Sequence, residues 1–208
     1  MPNEKKRHVA YQKAFFDSNV DIFKTPIPDD VVERSREIVK AVVNKTPARI
    51  LDVGTGIGAF IKYYLECGVT PGDIVGCDLS SAMLDEAKRR HPDIQLWQGD
   101  AVDLPTDFGD FDIVVFNACF GNIFDQLTVL RKSRSVLNAG GRIAISHPMG
   151  NDFVRRLKKG YPNLVFTLLP ERSTLENWCV ELDMSLLTFR DEAHLYLAIL
   201  DTGIPAKQ

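Results

Sequence analysis

The 208-residue sequence contains no long apolar run; nothing in it approaches the roughly 20 residues that a membrane span requires. Its first residues, M-P-N-E-K-K-R, are charged and no apolar h-region follows, so a secretory leader is not expected. Cysteine is scarce: Cys67, Cys77, Cys119 and Cys179 form no C-x-x-C pair and mostly sit in apolar segments. That pattern points to reduced thiols rather than disulfides or zinc, and to a cytoplasmic setting, or an organelle reached by a leader already removed. An excess of basic charge is also missing. With 25 Lys and Arg against 28 Asp and Glu, the net charge is −3, and neither nucleic acid nor a membrane surface is an expected partner. No repeat or low-complexity tract interrupts the chain. What remains is 45% hydrophobic residues in a length that suits one α/β domain with a sizeable core.

The rest is organised around Ala48 to Phe60, A-R-I-L-D-V-G-T-G-I-G-A-F. Ile50, Leu51 and Val53 make the short apolar run of a parallel strand covered on both faces. Gly54, Gly56 and Gly58 then alternate with Thr55 and Ile57, so the backbone can turn sharply and approach a ligand closely. A helix follows, with Phe60, Tyr63, Tyr64 and Cys67 along one face and Gly68 as its stop. A second buried strand, D-I-V-G-C-D, ends at Asp78, 22 positions beyond Gly56, where a ribose-binding carboxylate is expected.

The spacing speaks against a dinucleotide. Such sites want G-x-G-x-x-G, whereas the third glycine here comes one position early and Ala59 follows. The pattern D-V-G-T-G-I-G, with Asp52 two residues before the first glycine, resembles motif I of the class I S-adenosylmethionine-dependent methyltransferases. That resemblance implies S-adenosylmethionine as cofactor, with S-adenosylhomocysteine as its product. It places Gly54, Thr55, Gly56 and Gly58 under the methionine part, Asp52 at the ammonium group, and Asp78 with Leu79 at the ribose. Met83 would touch the adenine. G-D-A at 99–101 resembles the family's third motif, in which Asp100 accepts from the adenine amino group and the amide of Ala101 meets a ring nitrogen. Asn117, at the end of a fourth strand F-D-I-V-V-F-N, completes the set.

Around this frame, residues 8 to 23 mix aromatics and polar groups without a clean period; they read as a packed edge helix or a lid over the cofactor. Asp30 with Glu33 reads as a capping box for a helix carrying Val31, Ile38, Val39, Val42 and Val43 on one stripe. Ser80 or Ser81 caps the next helix, which carries Lys88, Arg89 and Arg90 in its last turn. A helix over 125–138 is expected to end at Gly140 and Gly141, which would open a fifth strand. L-N-A-G-G resembles the family's L-x-P-G-G feature, with Ala for Pro. Asn151 or Asp152 reads as the cap of a short helix with clustered Arg155, Arg156, Lys158 and Lys159: a solvated face, or an anion site for the acceptor. Ser173 and Glu176 read as a further capping box, and Met184–Arg190 with His194–Leu200 as an antiparallel hairpin.

The layout implied is an α/β fold, a seven-stranded, mostly parallel sheet with helices on both faces and a C-terminal hairpin. Residues 1–46 would form N-terminal cap helices and 47–200 the cofactor domain, with 148–172 as a substrate-covering insertion and 201–208 as a tail. The absence of a D/N-P-P-Y box after Asn117 disfavours amino methyltransferases of the adenine or glutamine type. Asn117, Ser146 and His147 stand where metal-dependent relatives place acidic ligands, so no metal is expected. His147 is the first candidate for a general base, and Tyr11, Cys119 and Tyr161 are others that could face the methyl. The expected reaction is in-line methyl transfer to a small-molecule acceptor, an anionic one included. Positioning alone can supply much of the acceleration, so a dedicated base is not obligatory. A methyltransferase acting on protein or RNA and a non-catalytic cofactor-binding module are the alternatives; a dehydrogenase or epimerase is remote, for want of a Y-x-x-x-K pair.

Overall fold

The computed structural model describes residues 2–105 and 108–203; part of the Leu104–Asp110 loop and most of the 201–208 tail lie outside these. The chain opens with three helices, α1 (Pro2–Ser18), α2 (Val20–Phe23) and α3 (Asp29–Val42). Alternating units follow: β1 (Ile50–Val53), α4 (Ile61–Glu66), β2 (Ile74–Asp78), α5 (Ser81–Arg90), β3 (Gln95–Gln98), β4 (Phe111–Asn117), α6 (Gln126–Ser135) and β5 (Leu137–His147). Last come α7 (Gly150–Gly160), α8 (Arg172–Leu182), β6 (Ser185–Glu192) and β7 (Leu195–Asp201).

The seven strands form one sheet in the order β3-β2-β1-β4-β5-β7-β6. The first five pair in parallel, while β7 runs antiparallel between β5 and β6. All four residues of β1 are buried, as a central strand under two helical layers must be. Alternation sends Leu51, Val53, Val114 and Phe116 to one face, among Leu130, Leu175 and Tyr196. Ile50, Ile113 and Val115 pack on the other, among Ile38, Val39 and Tyr64. Strand order reverses between β1 and β4, so their carboxyl ends splay around a crevice.

Several expected boundaries are corrected. At α3 the cap position is Pro28, and the Asp30–Glu33 box does not form; Asp30 instead meets Arg34 at 2.9 Å, one turn on. Glu171 stands at the cap of α8, and Glu176 meets Arg172 at 3.4 Å rather than closing a box with Ser173. Met149 precedes α7; Asn151 is buried and donates to Asp191 at 3.4 Å, and Asp152 pairs with Arg155 at 3.0 Å. In each case a local partner or burial removes the side chain from the orphan amides it was expected to satisfy. Gly140 and Gly141 lie inside β5, which starts at Leu137 opposite Phe111. A Cβ on Gly141 would stand 2.8 Å from the Asn138 carbonyl, so this irregular stretch of strand needs glycine. Ser80 does cap α5, accepting from the Met83 amide at 3.1 Å.

Candidate active site

The carboxyl ends of β1, β2 and β4, with the turn after β3, enclose a cavity of about 470 Å³. Its floor is the glycine turn. Gly54 and Gly56 take left-handed φ of 67° and 53°, and the amides of Gly54 and Thr55 both donate to the Cys77 carbonyl at 2.8 and 3.0 Å, pinning the turn to β2. A Cβ on Gly56 would meet nothing within 4 Å, so the backbone there faces open space. Gly58, in contrast, does not line the cavity. A Cβ on it would lie 2.9 Å from His91 and from Ile61, so it serves the packing of the turn against α4 and α5.

Asp78 organises the same turn from β2. One carboxylate oxygen accepts from the Gly56 amide at 2.9 Å and the other from the Ser80 amide at 2.9 Å. Burial lifts its pKa above the usual carboxylate value. Asp52, 2% exposed, accepts from the Thr55 hydroxyl at 2.7 Å and the Tyr64 hydroxyl at 3.1 Å. No cation reaches Asp52 among the described residues, and burial pushes its pKa up to about 6. Such a carboxylate suits an incoming ammonium group. Asp100 accepts from the Val102 amide at 3.3 Å and faces Lys5 at 3.3 Å. Leu79, Met83, Ala101 and Asn117 also line the cavity, and Asn117 accepts from the Ser146 hydroxyl at 3.1 Å. The residues expected around the nucleoside are thus brought together, Gly58 apart.

The roof comes from the chain before β1. Lys5, His8, Val9, Gln12 and Phe16 of α1 face inward, joined by Ile22, Phe23 and the 25–31 segment. Four contacts strap α1 down: Lys5 to Asp100, His8 to the Asn122 carbonyl at 2.6 Å, Gln12 to the Leu164 carbonyl, and Asp17 to the Ser80 hydroxyl at 2.6 Å. Sequence reasoning missed this inward face. Positions 5, 8, 9, 12 and 16 do follow a helical period, but Lys, His and Gln on the stripe hide it from a hydrophobicity pattern.

Of the four residues expected to face the methyl, Cys119 alone lines the cavity. His147 is buried and does not line the cavity; its Nδ1 accepts from the Met149 amide at 3.2 Å, and burial drives its pKa down to about 4. Tyr11 is 40% exposed and stacks on Phe15, with ring centroids 6.4 Å apart on the outer side of α1. Tyr161 is exposed as well. The Cys119 thiol lines the cavity but donates to the Val53 carbonyl at 3.1 Å, and burial raises its pKa well above the free value. Of the 148–172 insertion only Met149 lines the cavity, and the basic cluster of α7 points elsewhere, with Lys158 donating to the Phe166 carbonyl at 2.6 Å. Among the described residues no three His, Cys, Asp or Glu side chains converge as metal ligands would.

Comparison with known proteins agrees with this geometry. A family model described as a methyltransferase domain matches residues 50–141. The demethylmenaquinone methyltransferase of Paenarthrobacter aurescens is 30% identical over 81% of this chain and 66% of its own length. That of Renibacterium salmoninarum is 31% identical over 82% of this chain and 72% of its own length. This chain therefore spans just under two thirds of the first relative and somewhat more of the second. In structure, the magnesium protoporphyrin IX methyltransferase of Synechocystis, solved with bound S-adenosylhomocysteine, superposes with a TM-score of 0.69 at 14% identity, covering 93% of this chain and 99% of that one. On the strength of the glycine turn, the strand order and these relatives, the chain belongs to the class I S-adenosylmethionine-dependent methyltransferases.

Proposed function

We propose that the protein transfers the methyl group of S-adenosylmethionine to a small, uncharged, largely apolar acceptor held between the glycine turn and α1. The observation that carries this reading is the composition of the cavity lining. Beside the glycine turn with Asp52, Asp78 and Asp100, it carries a set of apolar side chains, Phe16, Ile22, Phe23, Ile27, Ile123 and Phe124. The other charged side chains of the lining have partners already: Lys5 is paired with Asp100, and Asp125 caps α6 by accepting from the Thr128 amide at 3.0 Å. Among the described residues the basic cluster of α7 stays out of the lining and Lys5 is paired, which favours an uncharged acceptor over an anionic one. Both relatives named above act by name on demethylmenaquinone, and an apolar wall of this kind accords with such an acceptor.

Within this reading the backbone of Gly54 to Gly56 and the carboxylate of Asp52 hold the amino-acid end of the cofactor, with Thr55 and Tyr64 orienting that carboxylate. Asp78 takes the ribose hydroxyls. Asp100, with the amide of Ala101, takes the adenine edge, and Met83 and Leu79 pack against it. Bound there, the cofactor supplies an electrophilic sulfonium methyl. The protein's part is then to hold the acceptor in line with the methyl–sulfur bond and to keep water out, which at best supplies on the order of 7–11 kcal/mol of the barrier reduction.

Incubation with methyl-labelled S-adenosylmethionine in a whole-cell extract, followed by separation of label into metabolites, RNA and protein, tests the proposal. Label in the metabolite fraction is the expected result and delivers the product for mass identification, with demethylmenaquinone, reduced to its hydroquinone, as the first pure compound to try. Label confined to polymer, or no transfer by protein that binds S-adenosylhomocysteine, overturns it.

A further inference from the structure

We propose that His8 of α1 is the catalytic base of the acceptor side, with Nδ1 taking the proton from a hydroxyl on an otherwise uncharged acceptor. The inference rests on the transferase reading above and goes beyond it by naming the group and the acceptor chemistry. Of the histidines among the described residues, His8 alone lines the cavity. Its Nε2 lies 2.6 Å from the Asn122 carbonyl oxygen, which can only accept, so Nε2 carries the hydrogen. The lone pair of the neutral ring is thereby placed on Nδ1, for which no protein partner exists among the described residues. Gln12 does not alter this: its amide approaches Nε2 only at 3.4 Å and donates to the Leu164 carbonyl. The ring packs against the stacked pair Phe124 and Phe166, with tilted contacts at centroid distances of 5.9 and 5.0 Å.

The position is right for the chemistry. Asn122 ends the short turn that follows β4, and the end of that strand, Asn117 and Ala118, lines the same cavity. A ligand of an open parallel sheet sits beyond these strand ends. No other base is free there. The carboxylates of Asp100 and Asp125 are engaged in an ion pair and a helix cap, and the Cys119 thiol is donating. An ammonium acceptor would need an unpaired carboxylate on the acceptor side, so the proton to be removed belongs to a neutral group. Hydroxyl oxygen is the neutral nucleophile that gains most from losing its proton.

In the step itself the acceptor hydroxyl gives its proton to Nδ1. The electron pair released is donated to the methyl carbon, either from oxygen or from a ring carbon conjugated with it. The methyl–sulfur bond breaks and its pair stays on sulfur, leaving a neutral thioether. Where carbon is methylated, the hydrogen it carried moves to oxygen by tautomerisation. In both cases the imidazolium passes one proton to water.

The test compares wild type with His8→Gln, whose side-chain amide can still donate to the Asn122 carbonyl. Each is assayed with methyl-labelled S-adenosylmethionine and the metabolite fraction of a cell extract across pH, and titrated with S-adenosylhomocysteine by calorimetry. The variant should lose on the order of 10²-fold in transfer rate while holding S-adenosylhomocysteine within about twofold of wild type, and the limb of the rate profile that rises with pH should vanish. Wild-type rate and profile in the variant would overturn the role of His8 alone, as would a loss of rate matched by an equal loss of S-adenosylhomocysteine affinity, which marks a mere latch. Absence of transfer by the wild type sinks the transferase reading and this one with it. A readout free of acceptor is the ¹⁵N imidazole spectrum of the S-adenosylhomocysteine complex: His8 should be the Nε2–H tautomer, and an Nδ1–H tautomer overturns the proposal.

Discussion

The carboxylate of Asp17, in the last turn of α1, accepts a hydrogen bond from the Ser80 hydroxyl at 2.6 Å, while the same Ser80 oxygen accepts from the Met83 amide that opens α5. The roof of the cavity is thus fastened to the cap of the helix that follows the ribose-side strand. Asp17→Ala should cost about 1 kcal/mol of folded stability and, by loosening α1, speed S-adenosylhomocysteine release several-fold. Stopped-flow release and amide exchange in α1 read the two effects; unchanged release would show that this fastening does not hold the cavity closed.

Asp52 makes ligand binding depend on pH in a defined direction. Burial lifts its folded-state pKa from 3.8 to about 6, so between those values the folded chain binds more protons than the unfolded one, and the stability of the ligand-free protein falls as pH rises through the window. Binding of an ammonium group requires the ionised carboxylate, so S-adenosylhomocysteine affinity should climb over the same window. Asp52→Asn should remove both trends, raise ligand-free stability at neutral pH by on the order of 1–3 kcal/mol, and weaken binding. Melting curves and calorimetry across that window and up to neutral pH decide it. A flat affinity profile in the wild type would detach Asp52 from the ammonium.

Asp78 carries two partly buried backbone amides besides any ligand, those of Gly56 and Ser80. Asp78→Ala should therefore abolish most S-adenosylhomocysteine affinity and also lower stability by about 1–3 kcal/mol, because both donors lose their acceptor. Asp78→Asn, which keeps one acceptor oxygen, should fall between the two. If the alanine variant melts like wild type and binds normally, neither role stands.

Gly54 and Cys119 exclude each other's growth. A Cβ on Gly54 would sit 2.7 Å from the Cys119 Cβ, at a φ of 67° that side chains rarely adopt. Gly54→Ala should destabilise by on the order of 2–4 kcal/mol, and Cys119→Gly in the same molecule should recover the part due to the clash, leaving the cost of the backbone angle. Urea unfolding of the two single variants and the double one measures the coupling, and strict additivity would rule the contact out.

These cases show which parts of the site could be read from the chain. The β1 turn and Asp78 were legible because their signals are local: a short apolar run, glycines where φ is positive, and a carboxylate at the end of the next apolar run. The C-terminal hairpin was legible as well, from two β-rich runs separated by three residues. Gly58 and His147 were assigned to the ligand because position along the strands and turn says nothing of which way a residue faces; tertiary neighbours, His91 for one and Met149 for the other, decide it. The inward face of α1 was illegible for a different reason. Lys5, His8 and Gln12 fasten the helix to Asp100 and to the Asn122 and Leu164 carbonyls, so polar side chains interrupt the stripe that would betray its orientation. The misplaced caps at Asp30 and Ser173 share a cause too, since an arginine one turn away takes a carboxylate the capping box needs: Arg34 takes Asp30, and Arg172 takes Glu176.

The direction of β7 has a practical consequence. Because it runs against its neighbour, it carries the chain from Tyr196, beside His147, down to Asp201, whose carboxylate meets Arg142 at 3.1 Å. The strand therefore finishes at the pole of the sheet remote from the ligand space. A fluorescent reporter or a surface tether joined beyond Gly203 would start from that far pole and leave the mouth unobstructed. The same attachment ahead of α1 would burden the helix that roofs the cavity.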